Sequence, residues 1–384
     1  MSETFKSIPD DIFRDTLASF LAPVRSLLDD ATVSEILING PETIYFERRG
    51  QLHKSNLRFT SPEDLEGLCQ NLAQFMGKHI SVESPLLEAR LPDGSRVAVV
   101  APPAARGGVM ISIRRFSRER ARPEQLLQWG SATQEVLDFL KACLHCKRNT
   151  VVAGGTGSGK TTLLNILSSF FPDQERVIVM EDVSELQVQK EHVVYLETRP
   201  PDARGRGAVT MRDLLRAVLR MRPDRILVGE IRGGEAMELI QALSTGHGGS
   251  MTTLHANYAI DAMHRLETMC MMSDIQLPVG PLRAQIISAI DIVVQQNRLR
   301  DGTRRIVGVY EAERLGSQGE YVMRPLFEFK YQGEEPGTGR IKGQLVATGR
   351  APTFAADMRA RGFTLPAAMK DEESAARNDL SASH

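Results

Sequence analysis

The chain has 384 residues, of which 25% are charged and 42% hydrophobic, and its formal net charge is −1. That length accommodates two domains with sizeable cores, and the balance is that of a globular protein in water. A near-neutral chain with one tryptophan has neither the basic footprint of a sequence-independent nucleic-acid surface nor the stacking platforms that hold single strands. No apolar run approaches the length that spans a bilayer, and Met1 to Phe5 shows no apolar signal core. A cytoplasmic protein that meets membranes only through partners is therefore expected.

Residues 1–30 are predicted to be helical, because Phe13, Leu17, Phe20, Leu21, Val24 and Leu27 recur at spacings of three or four. Residues 31–116 read as a small α+β domain. Two strands, Val33–Gly40 and Thr43–Arg48, surround a turn at Gly40-Pro41. A helix opened by Ser61-Pro62-Glu63-Asp64 runs to about Met76. Two further strands fall at Leu91–Val100 and Val109–Phe116. Residues 117–123, with Arg118, Arg120 and Arg122 and no apolar period, read as a linker. From 124 to 368, helices alternate with short apolar strands, which predicts an α/β domain whose sheet is covered on both faces. The strands are Asn149–Ala153, Arg176–Met180, Arg225–Val228, Ser250–Leu254 and Ile292–Gln295. Residues 369–384 form a polar tail. Of Cys69, Cys143, Cys146 and Cys270, only 143 and 146 make a C-x-x-C. It lies in an amphipathic helical pattern and lacks a second ligand pair, so an ordinary helical pair is expected.

The chemistry centres on Gly154, Gly155, Thr156, Gly157, Ser158, Gly159, Lys160, Thr161 and Thr162. This stretch fits the phosphate-binding loop of nucleoside-triphosphate enzymes, placed between a strand and a helix. Its N–H groups can converge on phosphate oxygens at a helix N-terminus. Lys160 supplies a charge for the β/γ-phosphates and Thr161 a hydroxyl for Mg²⁺. Downstream, Arg225–Val228 ends in Gly229-Glu230 where such strands usually carry Asp-Glu. Glu230 is thus expected to polarise the attacking water, hold Mg²⁺ through water, or both. Val177–Met180 runs into Glu181, Asp182 and Glu185, acids at the carboxyl end of a strand, where open α/β sheets bind ligands. His247 and His255 flank a Gly-rich turn and a strand; eight residues apart, they do not resemble a zinc pair, and γ-phosphate sensing suits them better. Arg96, Arg114 and a group between 204 and 222 are candidates for stabilising charge in phosphoryl transfer. The Asn-Lys-x-Asp motif of GTPases and the Leu-Ser-Gly-Gly-Gln signature of ABC transporters are both missing from the sequence.

Taken together, the loop, the Glu181-Asp182 box, Met221-Arg222-Pro223-Asp224-Arg225 leading to Glu230, and the box from Gly246 to His255 resemble the secretion ATPase superfamily of type II secretion, type IV pili and type IV secretion. Glu197–Pro201, Gly207–Leu214, Arg232–Ala236 and Glu35–Pro41 resemble most the CpaF-like motors of Tad (Flp) pili. The resemblance implies a RecA-like P-loop NTPase domain behind a smaller N-terminal α+β domain, with ATP and Mg²⁺ as substrate and cofactor. It implies Glu230 as the Walker B acid, Glu181 and Glu185 in the Asp box, and His247 and His255 in the His box. It places Arg96 and Arg114 where a neighbour's first domain reaches the nucleotide. The implied assembly is a homo-hexamer at the cytoplasmic face of the bacterial inner membrane. It works with inner-membrane platform proteins and without direct nucleic-acid contact. A conjugation or effector secretion motor and a RecA-like nucleic-acid motor are the alternatives, the latter suggested by the arginines between 104 and 122.

Overall fold

Alternating burial builds the first unit, which ends at residue 120, while the second begins at Ala121. The computed structural model describes residues 17–48, 50–91, 93–115, 121–201, 205–275 and 277–370. Phe13, Arg118, Arg120, Arg204 and most of the predicted linker and tail lie outside them.

In the first unit a short helix, α1 (Arg25–Asp29), follows a 3-10 turn at Ala22–Val24, where Pro23 interrupts the predicted N-terminal helix. Then come β1 (Val33–Asn39), β2 (Ile44–Arg48), β3 (Gln51–Lys54), α2 (Pro62–Phe75), β4 (Leu86–Arg90), β5 (Arg96–Val100) and β6 (Met110–Arg114). The six strands form one antiparallel sheet in the order β3-β2-β1-β6-β5-β4. Strand side chains alternate between faces, so Val97 and Val99 of β5 and Ile111 and Ile113 of β6 are buried with Ile36 and Ile38. Against them lie Leu65, Leu68 and Leu72 of α2. Ser61 caps that helix by accepting a hydrogen bond from the Asp64 N–H at 3.3 Å. Strands β3 and β4 were not foreseen.

The second unit opens with α3 (Pro123–Gln128) and α4 (Gln134–His145), and continues with β7 (Thr150–Ala153), α5 (Lys160–Ser168), β8 (Val177–Glu181) and β9 (Val193–Glu197). Then follow α6 (Met211–Val218), β10 (Arg225–Val228), α7 (Ala236–Ser244), β11 (Met251–Leu254), α8 (Ala259–Met271) and α9 (Val279–Ala289). The unit closes with β12 (Ile292–Arg298), β13 (Arg304–Leu315), β14 (Tyr321–Glu334), β15 (Ile341–Ala347) and α10 (Ala355–Ala360). One sheet runs β15-β14-β13-β12-β7-β11-β10-β8-β9. From β12 to β9 all neighbours are parallel, and β13, β14 and β15 extend the other edge antiparallel.

Both faces of the parallel part are covered, as the apolar strands predict. Val152, Val179, Leu227 and Val294 face one core with α4 and α5. Val151, Ile178, Met180, Ile226, Val228 and Val293 face the other with residues of α6 to α9. Cys143 and Cys146 are buried free thiols at the end of α4, an ordinary helical pair; burial pushes both thiols up.

Candidate active site

The loop from Gly154 to Gly159 leaves the carboxyl end of β7 and enters α5, whose first residue is Lys160. Gly157 and Gly159 stand at φ 69° and 93°, the left-handed region that favours glycine. Gly154 is required for space, since a Cβ there would lie 2.2 Å from the Gln296 carbonyl oxygen. One side of the loop is thus walled by the start of the antiparallel ribbon: Gln296 and Arg304 stand against Gly159, and Arg298 stands near Gly157. The Ser158 hydroxyl is buried without a hydrogen-bond partner. Glycines in the left-handed region, a helix start and an unsatisfied hydroxyl fit a phosphate chain. Thr161 and Thr162, both half-buried, occupy the first turn of α5.

Lys160 is almost fully buried; its Nζ donates to the Gly155 carbonyl at 3.1 Å and stands 3.3 Å from His255 Nδ1. His255 follows the carboxyl end of β11, and its Nε2 lies 2.8 Å from Glu230 Oε1. Burial, then the nearby Lys160 ammonium, holds the imidazole below its ordinary range. A neutral ring that accepts from Lys160 at Nδ1 carries its proton on Nε2, which lies close to Glu230 Oε1 without a hydrogen bond between them, so that buried oxygen has no hydrogen-bond partner. The other carboxylate oxygen of Glu230 accepts from Arg232 Nε at 2.8 Å and Nη2 at 2.5 Å. Lys160, His255, Glu230 and Arg232 thereby form one connected chain beside the loop.

Glu181, at the end of β8, is 4% exposed, and its carboxyl is pushed up to about 7, first by burial. Hydrogen bonds at 3.0 Å from the Glu185 and Leu186 N–H groups to Oε1 oppose the shift. Its side chain lies over the neighbouring strand end, where a Cβ on residue 229 would stand 2.9 Å from Glu181 Cγ. This gives the glycine at 229 a steric reason: Glu181 fills the space that an Asp there would need. Glu185 sits half-buried in the turn that Glu181 ties down.

The topology corrects the placement of His247. His247 precedes β11, whereas the loop follows β7, and the two strands are parallel, with Met251 opposite Thr150 and Leu254 opposite Ala153. His247 therefore lies at the far edge of the sheet from the phosphates, its Nδ1 3.0 Å from the Ala242 carbonyl oxygen. Two members of the arginine group, Arg212 and Arg216, are engaged by buried Glu238 at 3.1 and 2.8 Å, tying α6 to α7. Arg96 and Arg114 face each other across β5 and β6 in the first unit.

Arg232 was missed, because it lies beyond the end of β10 with no strand period to mark it. Its contact with Glu230 places the two side chains on the same side, with Ile231 buried between them. Arg232 also lines a cleft of about 590 Å³ with Gly155 and Thr156 of the loop, His255, Asp261 and Arg265.

A RecA-like sheet with a phosphate loop, a buried lysine and a strand-end glutamate at one edge defines a P-loop ATPase. Residues 18–317 match the family described as "Type II/IV secretion system protein", and the chain belongs to that family. It is 38% identical over 315 residues to the type IV secretion system protein PtlH of Bordetella pertussis, covering 75% of this chain and 92% of that one. With the type IV secretion system protein VirB11 of Brucella suis biovar 1 it shares 35% over 329 residues, covering 78% and 91%. The fold is similar to the X-ray structure of the Yersinia pseudotuberculosis ATPase DotB, with a TM-score of 0.54 at 18% identity over 81% of this chain and 82% of that one.

Proposed function

We propose that this chain hydrolyses ATP as one subunit of a homo-hexameric ring, and that the ring drives protein transport at the cytoplasmic face of a bacterial inner membrane. The observation that carries the catalytic part is the Lys160–His255–Glu230 chain beside the phosphate loop. Loop N–H groups and Lys160 hold the phosphates, Glu230 orients water onto the γ-phosphate, and His255 reports phosphate occupancy to Glu230. Glu181 holds the turn that carries Glu185. Mg²⁺ would be held by the Thr161 hydroxyl and Glu230 alongside the substrate phosphates, and there it would neutralise phosphate charge. Arg96 and Arg114 of a neighbouring subunit complete the site. Among the described residues no helix is long and apolar enough to cross a membrane, which suits attachment through inner-membrane platform proteins.

Type IV secretion is the machine favoured by the names of the relatives at 38% and 35% identity. A Tad pilus is the second reading, favoured by the segments Glu197–Pro201 and Gly207–Leu214. Deleting the gene and scoring pilus assembly against export separates the two. Lys160→Ala is expected to abolish phosphate release. Glu230→Gln is expected to bind ATP yet turn over about 10²- to 10³-fold more slowly. Normal turnover in Glu230→Gln, with loss in Glu185→Gln, would move the base to Glu185. Salt-sensitive DNA binding that stimulates hydrolysis would instead support a nucleic-acid motor.

A further inference from the structure

Glu230 is gripped from two sides that differ in exposure. On the inner side His255 Nε2 meets Oε1 at 2.8 Å. On the outer side Arg232 meets Oε2 through Nε and Nη2, at 2.8 and 2.5 Å. The Glu230 side chain is 17% exposed and the Arg232 side chain 59%. The main chain beneath the arginine is fixed, because Glu235 Oε1 accepts from the N–H of Arg232 at 2.8 Å and of Gly233 at 2.9 Å. The guanidinium thus sits on a rigid base, reaches into the cleft shared with Gly155 and Thr156, and covers the outer oxygen of the acid.

We infer that Arg232 is a phosphate-responsive cover on Glu230: it holds the outer carboxylate oxygen while the γ-phosphate position is empty and passes its guanidinium to the γ-phosphate when ATP arrives. This deepens the reading of Glu230 as the acid facing the γ-phosphate and rests on it. While Arg232 occupies Oε2, that oxygen has no room to hold the attacking water. An exposed arginine–carboxylate pair is weak, whereas a guanidinium binds phosphate through two parallel charge-assisted hydrogen bonds. A terminal phosphate within reach therefore wins the guanidinium. His255 stays packed beside Oε1, 2.8 Å away, and the buried setting of that oxygen limits how far the freed carboxylate can swing. ADP lacks the terminal group and leaves the cover in place. Arg232 is in this sense a positioning residue that makes the exposure of the acid depend on the nucleotide.

The test uses the full chain with Arg232→Ala and Arg232→Lys. It reads steady-state phosphate release and the binding of ADP and of a non-hydrolysable imido analogue of ATP. Arg232→Ala is expected to lower kcat about 10- to 100-fold and to weaken the analogue about tenfold, with ADP affinity within about twofold of the parent. Arg232→Lys is expected to restore part of kcat. The inference is overturned if kcat and the analogue-to-ADP ratio both stay within about twofold of the parent, or if both nucleotides weaken equally, as a purely structural residue would make them do. Should Arg232→Ala not fold, Arg232→Gln carries the same comparison. Glu230→Gln run in parallel separates the two levels. Retained turnover there removes the site reading as well, while lost turnover beside an unaffected Arg232→Ala removes only the cover.

Discussion

Glu181 shows how much the surroundings of one side chain add to what its residue type says. As an acid at a strand end it is a candidate for proton chemistry, and its Oε1 also accepts from the Glu185 and Leu186 N–H groups. Its burial has a consequence for stability. A carboxyl pushed up to about 7 from 4.5 binds more protons folded than unfolded across that interval, so its contribution to stability falls as pH rises from about 4.5 to 7. Glu181→Gln keeps an acceptor for the two N–H groups and has no charge to bury. Relative to the parent, the variant is expected to gain about 3 kcal/mol between pH 4.5 and 8, read by urea unfolding at several pH values. A difference that stays flat with pH would show that Glu181 is not raised. The phosphate loop, Glu230 and His255 were legible because each has a distinct residue type in a distinct local frame. Arg232 was not, because an arginine on an exposed segment has no signature until its neighbour at 230 is placed.

At the scale of the element, the parallel strands could be read because four or five consecutive apolar residues between helices have few other homes. The ribbon β13–β15 could not, because buried charges interrupt its pattern. Arg305 donates to the Ile341 carbonyl at 2.8 Å, Arg324 pairs with Glu313 at 3.1 Å, and buried Glu311 accepts from the Thr353 N–H at 3.0 Å. Each is polar in sequence and satisfied at least in part by a partner on another segment of chain. Strand β10 begins with another such residue. Arg225 is 0% exposed, bonds Glu175 through Nε at 2.5 Å and donates to the Gly249 carbonyl at 2.9 Å. Gly249, at φ 78°, has no room for a side chain, since a Cβ would fall 1.5 Å from Arg225 Nη1. Gly249→Ala is expected to destabilise the chain by about 3 kcal/mol in thermal or urea unfolding. Gly246→Ala, where a Cβ would meet nothing, should lose only about 1 kcal/mol from its backbone angle. Equal losses at the two positions would remove Arg225 as the reason for the glycine. The Gly-rich turn before β11 thus has a packing role beside any role in function, which is also where His247 belongs by position.

For the whole molecule, the two units carry different parts of the proposed machine: the loop and its acids in one, Arg96 and Arg114 in the other. If those arginines act on a neighbour's nucleotide, two silent variants should rescue each other. Lys160→Ala has intact arginines and a dead loop, and the Arg96→Ala, Arg114→Ala double variant has the reverse. Mixed in equal amounts they are expected to recover a measurable part of parental phosphate release, on the order of tenfold above either alone. Absence of recovery in rings shown to exchange subunits would place the arginines outside the neighbour's site.

The wall of Gln296, Arg298 and Arg304 beside the loop reaches further than its length suggests. Every recognisable nucleotide motif ends before residue 256, so a fragment trimmed there would retain all of them on paper. It would nonetheless hand ATP a loop with one flank open to solvent, its glycines no longer pressed into shape. In this protein the phosphate loop is flanked by chain more than a hundred residues downstream of the motif that advertises it.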